Sequence, residues 1–327
     1  MVNKRSLAIV VAVAGALGQP AQAQQPKKIP RVAHVLASSS TAVPARTEAF
    51  RQGLRELAYV EGKNIVVEWR SADGKLERLP ALLAEVVRLK VDVIVSGGPE
   101  STRAAKEATS TIPIVMAQDT DPVANGFVAS LARPGGNITG LSNFAPELSG
   151  KRLELLKETV PKLSRVTVLG TSSGPGNAQS LKEIELAAKA FNVKVQYLDV
   201  LSPNDIETSF RAASKGLAEG LLTLPSPILT SNRTRVVELA VKNRLAAIYN
   251  NTLYAEAGGL MFYGVNILDL DRRAATFVDK ILKGRTPADL PVEQPMKFEF
   301  IINLKAAKQI GLTIPPNVLV RANRVIR

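Results

Sequence analysis

Two short runs in this 327-residue chain carry the residue types for holding a small charged molecule. Ser96-Gly97-Gly98 precedes a helix and can offer a hydroxyl and backbone amides to an anion, with the helix dipole adding to the attraction. Asp119 and Asp121 follow a short apolar stretch, and a carboxylate there can hold an ammonium group; of the two, Asp121 is the expected contact. Tyr249 and Phe144 supply faces for a ring or a cation, and Glu256 lies near Tyr249 for a cationic group. Hydroxyl-rich loops at Ser38, Ser39 and Ser40, at Thr171, Ser172 and Ser173, and at Ser226 complete the set, with Asn143 beside Phe144.

Reactive chemistry finds little support. The chain has no cysteine and one histidine, His34, inside an apolar run. No Cys/His dyad or His-rich zinc site can be built, and no G-x-S-x-G elbow accompanies the histidine. Walker and G-x-G-x-x-G motifs are absent, so those nucleotide sites are excluded. The expectation is a binding protein, not an enzyme, with no cofactor and no metal.

The elements that would position these residues alternate. Short apolar runs, among them Arg31–Ala37, Val91–Val95, Ile112–Met116, Arg165–Leu169, Gly220–Leu224 and Ala246–Tyr249, are each followed by a turn and an amphipathic helix. Such spacing predicts parallel sheets with right-handed crossovers, and ligands in such folds bind beyond the carboxyl ends of the strands. A helix is expected from Asn125 to Leu131. Near the middle, Arg133-Pro134-Gly135-Gly136-Asn137 breaks the rhythm, and Pro146-Glu147 opens a new helix. The fold class expected is α/β, two doubly wound parallel-sheet lobes joined by hinge crossovers. The first lobe is read as 31–142 with a return segment at about 297–327, and the crossover and second lobe as 143–296.

At the N-terminus, Lys4 and Arg5 precede an apolar run, Leu7–Leu17, and a small-x-small pattern at Ala21-Gln22-Ala23. Residues 1–23 therefore read as a signal peptide, and 24–30 as a linker. Without cysteine there is no lipid-modified anchor, so an untethered periplasmic protein is expected. The net charge of +13 is spread along the chain without a basic cluster interleaved with aromatics, and no nucleic-acid partner is expected.

The run RPGGNITG at Arg133–Gly140 resembles the ABC-transporter substrate-binding proteins of the tryptophan/tyrosine type, with a type I periplasmic-binding-protein fold. The resemblance extends through FRQGLRELAYVEGKNIVVEWR (Phe50–Arg70), ELSGKRLELLKETVP (Glu147–Pro161), EAGGLMFYG (Glu256–Gly264), RRAATFVDKILKG (Arg272–Gly284) and LPVEQPMKFEFIINLKAAKQIGLTIPP (Leu290–Pro316). It implies a monomeric receptor that closes two lobes on a small solute, an aromatic or other amino acid or a small organic acid, and delivers it to a membrane permease. The alternative is a periplasmic sensing module partnering a membrane signalling protein. By position, the loops at Ser38–Ser40, Ser96–Gly98, Asp121, Asn143, Thr171–Ser173, Ser226 and Tyr249 would face the cleft. The chain departs from the family where Trp-Asn-Pro is common, with Gly170-Thr171-Ser172. It departs again with Ser226 before Pro227, and with Asn250-Asn251-Thr252 after the tyrosine.

Overall fold

The computed structural model describes residues 28–327; the signal-peptide reading and most of the linker lie outside them. The first half runs β1 (Arg31–Leu36), α1 (Pro44–Glu56), β2 (Val66–Ser71), α2 (Leu79–Arg88), β3 (Val93–Ser96), α3 (Pro99–Ala108), β4 (Ile114–Met116) and β5 (Ile138–Gly140). Then come α4 (Ala145–Thr159), β6 (Arg165–Gly170), α5 (Asn177–Phe191), β7 (Lys194–Asp199), α6 (Asp205–Lys215), β8 (Gly220–Thr223), α7 (Pro227–Ser231), α8 (Arg233–Lys242) and β9 (Ala246–Tyr249). The chain ends with α9 (Thr252–Glu256), β10 (Met261–Gly264), α10 (Ile267–Leu282), β11 (Glu299–Asn303), α11 (Leu304–Gln309), α12 (Pro316–Leu319) and β12 (Arg324–Ile326).

These strands form two sheets. One is five-stranded, in the order β2-β1-β3-β4-β5, and wholly parallel. The other is seven-stranded, β12-β11-β10-β9-β8-β6-β7, with one antiparallel pair where β11 meets β10.

Why both are layered on two faces follows from strand alternation. Val32, Val93, Val95 and Val115 point to one side of the first sheet, into a core shared with Phe50, Ala274 and Val278. Ala33, Val35, Ile94 and Ile114 point to the other, against Leu83, Val86 and Ala105. Apolar residues at both parities are the signature of a sheet covered on both faces. His34 is fully buried, its ring 5.0 Å from those of Phe50 and Trp69. Burial, with Arg46 and Arg51 nearby, lowers its pKa to about 3, so it is neutral packing.

Two expectations are corrected. The return segment does not rejoin the first lobe: β11 and β12 extend the second sheet, and it is α10 that returns, packing on α1 and against β3, β4 and β5. An amphipathic helix declares that it has an apolar face but not which sheet will take it. The chain therefore crosses between lobes three times, at 141–144, at 265–266 and at 294–298. The first and third passes lie side by side, with Ser142 N–H donating to the Glu293 carbonyl at 3.0 Å. Secondly, 125–131 is not a helix. Gly126 takes φ +69°, and after one turn closed by the Asn125 N–H on the Asp121 carbonyl the chain leaves the helical path.

Candidate functional site

The lobes face one another across a cavity of about 60 Å³ bounded by the loops after β1, β3 and β4 on one side and after β8 and β9 on the other. A single water needs about 10–15 Å³ in that measure, so the room suits one small solute or a few waters. The lobes touch around it. Ser39 N–H donates to Ser231 Oγ at 3.0 Å, Thr120 Oγ1 to the Pro175 carbonyl at 3.1 Å, and Arg103 to the Ser173 carbonyl at 3.3 Å. Leu36 and Val43 of the first lobe bury against Leu253 of the second.

The floor on the first-lobe side is the turn after β3. A Cβ on Gly97 would fall 2.3 Å from Leu36 Cδ2 and 3.3 Å from the Val35 carbonyl, so only glycine lets this turn lie on β1. Its carbonyl accepts from Arg46 at 2.8 Å and from Gln118 at 3.3 Å, which ties the turn to α1 and to the loop after β4. Gly98 and Pro99 then begin α3 at the cavity wall.

Charges around the cavity are unevenly matched. Arg46 is 3% exposed and held in a two-point pair with Asp271 of α10, at 2.7 and 2.9 Å. Arg152 of α4 is 2% exposed. Its Nε donates to the Tyr263 carbonyl at 2.8 Å and its Nη1 to Ser149 Oγ at 3.3 Å, and it pairs with no carboxylate among the described residues. Burial lowers its pKa only to about 10, so it stays a cation at neutral pH. Glu100 lines the wall, and burial raises its pKa to about 7 despite its own backbone amide and Arg103. Asp119, wholly buried behind Gln118 and Thr120, also rises to about 7 through burial, with Glu100 adding to the rise. Its Oδ1 accepts from Asn125 at 3.1 Å while Oδ2 has no partner among the described residues.

That pair gives a pH dependence of definite sign. Below about pH 4 these carboxyls are protonated in both folded and unfolded chains. Between there and pH 7 the unfolded chain has lost its protons and the native state still holds them, so stability falls as pH rises. Asp119→Asn removes one of these penalties. The variant should match the parent near pH 4 and exceed it at pH 8 by a few kcal/mol, from about 1.4 kcal/mol per pKa unit. Urea midpoints followed from pH 4 to 8 check this; a constant gap would disprove it.

Of the residues expected at the cleft, Ser38, Gly97, Gly98, Asn143 and Ser226 line the cavity. Ser96 lies beneath, fully buried, with its Oγ 2.8 Å from Thr102 Oγ1. Thr171 is also buried, its Oγ1 2.8 Å from Ser226 Oγ, which it steadies from behind. Ser39 and Ser173 make the interlobe contacts described, Ser40 N–H donates to Ser71 Oγ, and Ser172 is turned outward onto Asp199.

Four residues lie elsewhere. Asp121 and Phe144 border a separate, shallow pocket, and Asp121 Oδ1 accepts the Ala124 N–H at 3.0 Å as a turn cap. The Tyr249 ring packs in the second lobe's core, stacked on Tyr254 at 4.6 Å and 7°, in the layer that also takes Ala247 of β9. Glu256 ends α9 at the surface.

Arg46, Glu100, Gln118 and Arg152 line the cavity without having been expected there, and Asn250 and Asn251 line it from the loop after β9. Two carried a legible signal. Arg152 shares a helical face with Leu148, Leu155 and Leu156, and Arg46 shares one with Phe50 and Leu54, and a guanidinium on an apolar stripe needs a reason.

Residues 32–326 match the family described as ABC transporter substrate binding protein. A tyrosine-binding protein of Clostridioides difficile (strain R20291) is 26% identical over 265 residues, 81% of this chain and 76% of that one. A conserved domain protein of Vibrio cholerae superposes with a TM-score of 0.85 at 27% identity, covering 91% of this chain and all of the other. The ABC domain in complex with L-Trp from Streptococcus pneumonia gives 0.82 at 25% identity, covering 90% of this chain and 100% of that one. Two α/β lobes facing one another across a cavity, and a family match over nearly the whole described chain, make this protein a member of the ABC transporter substrate-binding family, a binding protein for small ligands and not an enzyme.

Proposed function

We propose that this chain is the solute receptor of an ABC importer, released untethered into the periplasm, which closes its lobes on an amino acid or small organic acid and hands it to a membrane permease. The observation that carries the reading is the interlobe cavity, lined by loops from both lobes with polar and apolar groups in similar measure. A ligand touching both walls binds the closed form better than the open one, and that difference in affinity moves the equilibrium. Ser38, Gly97, Gly98, Asn143 and Ser226 are the proposed contacts. The names of the tyrosine-binding relative and of the L-Trp complex support an amino-acid-like ligand. Among the described residues no helix is long and apolar enough to cross a membrane, which accords with a receptor that relies on a separate permease. Calorimetry against amino acids and small organic acids, paired with solution scattering, tests the reading. Saturable binding of one solute with a fall in radius of gyration is expected. Absence of binding across the panel, or binding with an unchanged profile, would reject it.

A further inference from the structure

We infer that the ligand is a small carboxylate without an aromatic ring, and that its carboxylate is the missing counter-ion of Arg152. The inference rests on the solute-receptor reading and specifies the ligand class for the same cavity.

Arginine stays charged in proteins, and a buried charge is retained only with a partner. Arg46 has one in Asp271, held at both ends of its guanidinium fork. Arg152, on the opposite wall and as deeply buried, has only a carbonyl and a hydroxyl. Its Nη2 makes no hydrogen bond to any described residue, and the side chain borders the cavity. The vacant fork position is suited to a carboxylate oxygen.

The number of charges limits the anion. Among the described lining residues one cation is unmatched, which balances one negative charge and leaves the second charge of a phosphate dianion without a counter-ion. A monoanionic head, with or without an ammonium group able to turn towards Glu100, satisfies the site.

The lining also bears on the rest of the ligand. No aromatic side chain borders the cavity among the described residues, Tyr249 being in the core and Phe144 outside the wall. What remains is Val265, Ile267, Ala37, Ala145 and prolines, interleaved with amides and hydroxyls. Such a wall suits a short aliphatic or polar side chain. It offers no ring to stack on an indole or a phenol.

The test compares each acid with its own derivative in which the carboxylate is masked, which needs no change to the protein. Alanine, valine, serine and lactate are titrated into the full chain beside the methyl ester of each, and beside alanine amide, tryptophan, tyrosine and inorganic phosphate. The best binder should be one of the non-aromatic carboxylates, and its amide or ester should bind roughly 30-fold more weakly or worse. Arg152→Gln should lose a similar factor for the acid and almost nothing for the ester, a pattern that a purely structural arginine would not give. An ester as tight as its acid would overturn the inference. So would tryptophan, tyrosine or phosphate as the best ligand, while leaving the receptor reading intact. If no compound binds, both fall.

Discussion

Replacing Asp271 by alanine is expected to destabilise the first lobe by about 3–5 kcal/mol, the range for removing one partner of a buried ion pair. Asp271 is fully buried on α10 and its two oxygens take both the Nε and an Nη of Arg46 on α1. Burial pushes the Asp271 carboxyl above its usual range even with Arg46 beside it, so desolvation outweighs the attraction. The pair as a whole is thus no large asset, but half of it is a liability. In a chain of this size the loss lowers the melting midpoint on the order of 10 °C. The double variant Arg46→Met/Asp271→Leu, which removes both charges and keeps the volume, should recover most of it. Calorimetric melting of the three proteins decides the matter. If Asp271→Ala melts within a degree or two of the parent, the pair does not hold α10 to α1.

A comparable loss, about 3 kcal/mol or more, is expected for Gly140→Ala at the end of β5. Gly140 has φ +134°, a region closed to residues with a Cβ, and an added methyl would fall 2.2 Å from the Met116 carbonyl oxygen and 2.6 Å from its amide nitrogen. Both clashing atoms are backbone of the adjacent strand, so no rotamer change relieves them. The strand would have to peel from β4, breaking the bond from Leu141 N–H to the Met116 carbonyl and loosening that from Glu293 N–H to the Gly140 carbonyl. Two of the interlobe passes start or end at this point, so closure should suffer with stability. Gly136→Ala, four residues earlier with open space around it, is the control and should stay within about 0.5 kcal/mol of the parent. Urea midpoints distinguish the two. Equal midpoints would show that β5 can shift at little cost.

The architecture was legible in the sequence because parallel strands buried on both faces are short apolar runs, and the helices between them carry amphipathic stripes. What was not legible is pairing across long separations. Nothing local in Ile267–Leu282 says that its stripe belongs to a sheet begun at Arg31, or that Asp271 will meet a side chain 225 positions away. Tyr249 shows the same limit at the site. In a strand that is apolar at every position, Ala246-Ala247-Ile248-Tyr249, both faces are covered, and nothing in the sequence says that the last ring stacks on Tyr254 within one layer instead of lining the cleft. The loops after the strands were found because that rule is topological. The two arginines were missed because their meaning comes from apolar neighbours one helical turn away, not from a motif.

The returning helix has one more consequence, for the order in which the protein is assembled from its N-terminus. The face of the first sheet that carries Val32, Val93, Val95 and Val115 has only α1, through Phe50 and Leu54, as its cover from that core until Ile267–Leu282 has been made, while residues 141–282 emerge. A nascent chain ending before α10 should therefore hold a half-clad, adhesive sheet. The half synthesised first is the one that must wait longest to become native, and it is in that interval that a holding chaperone would be most needed.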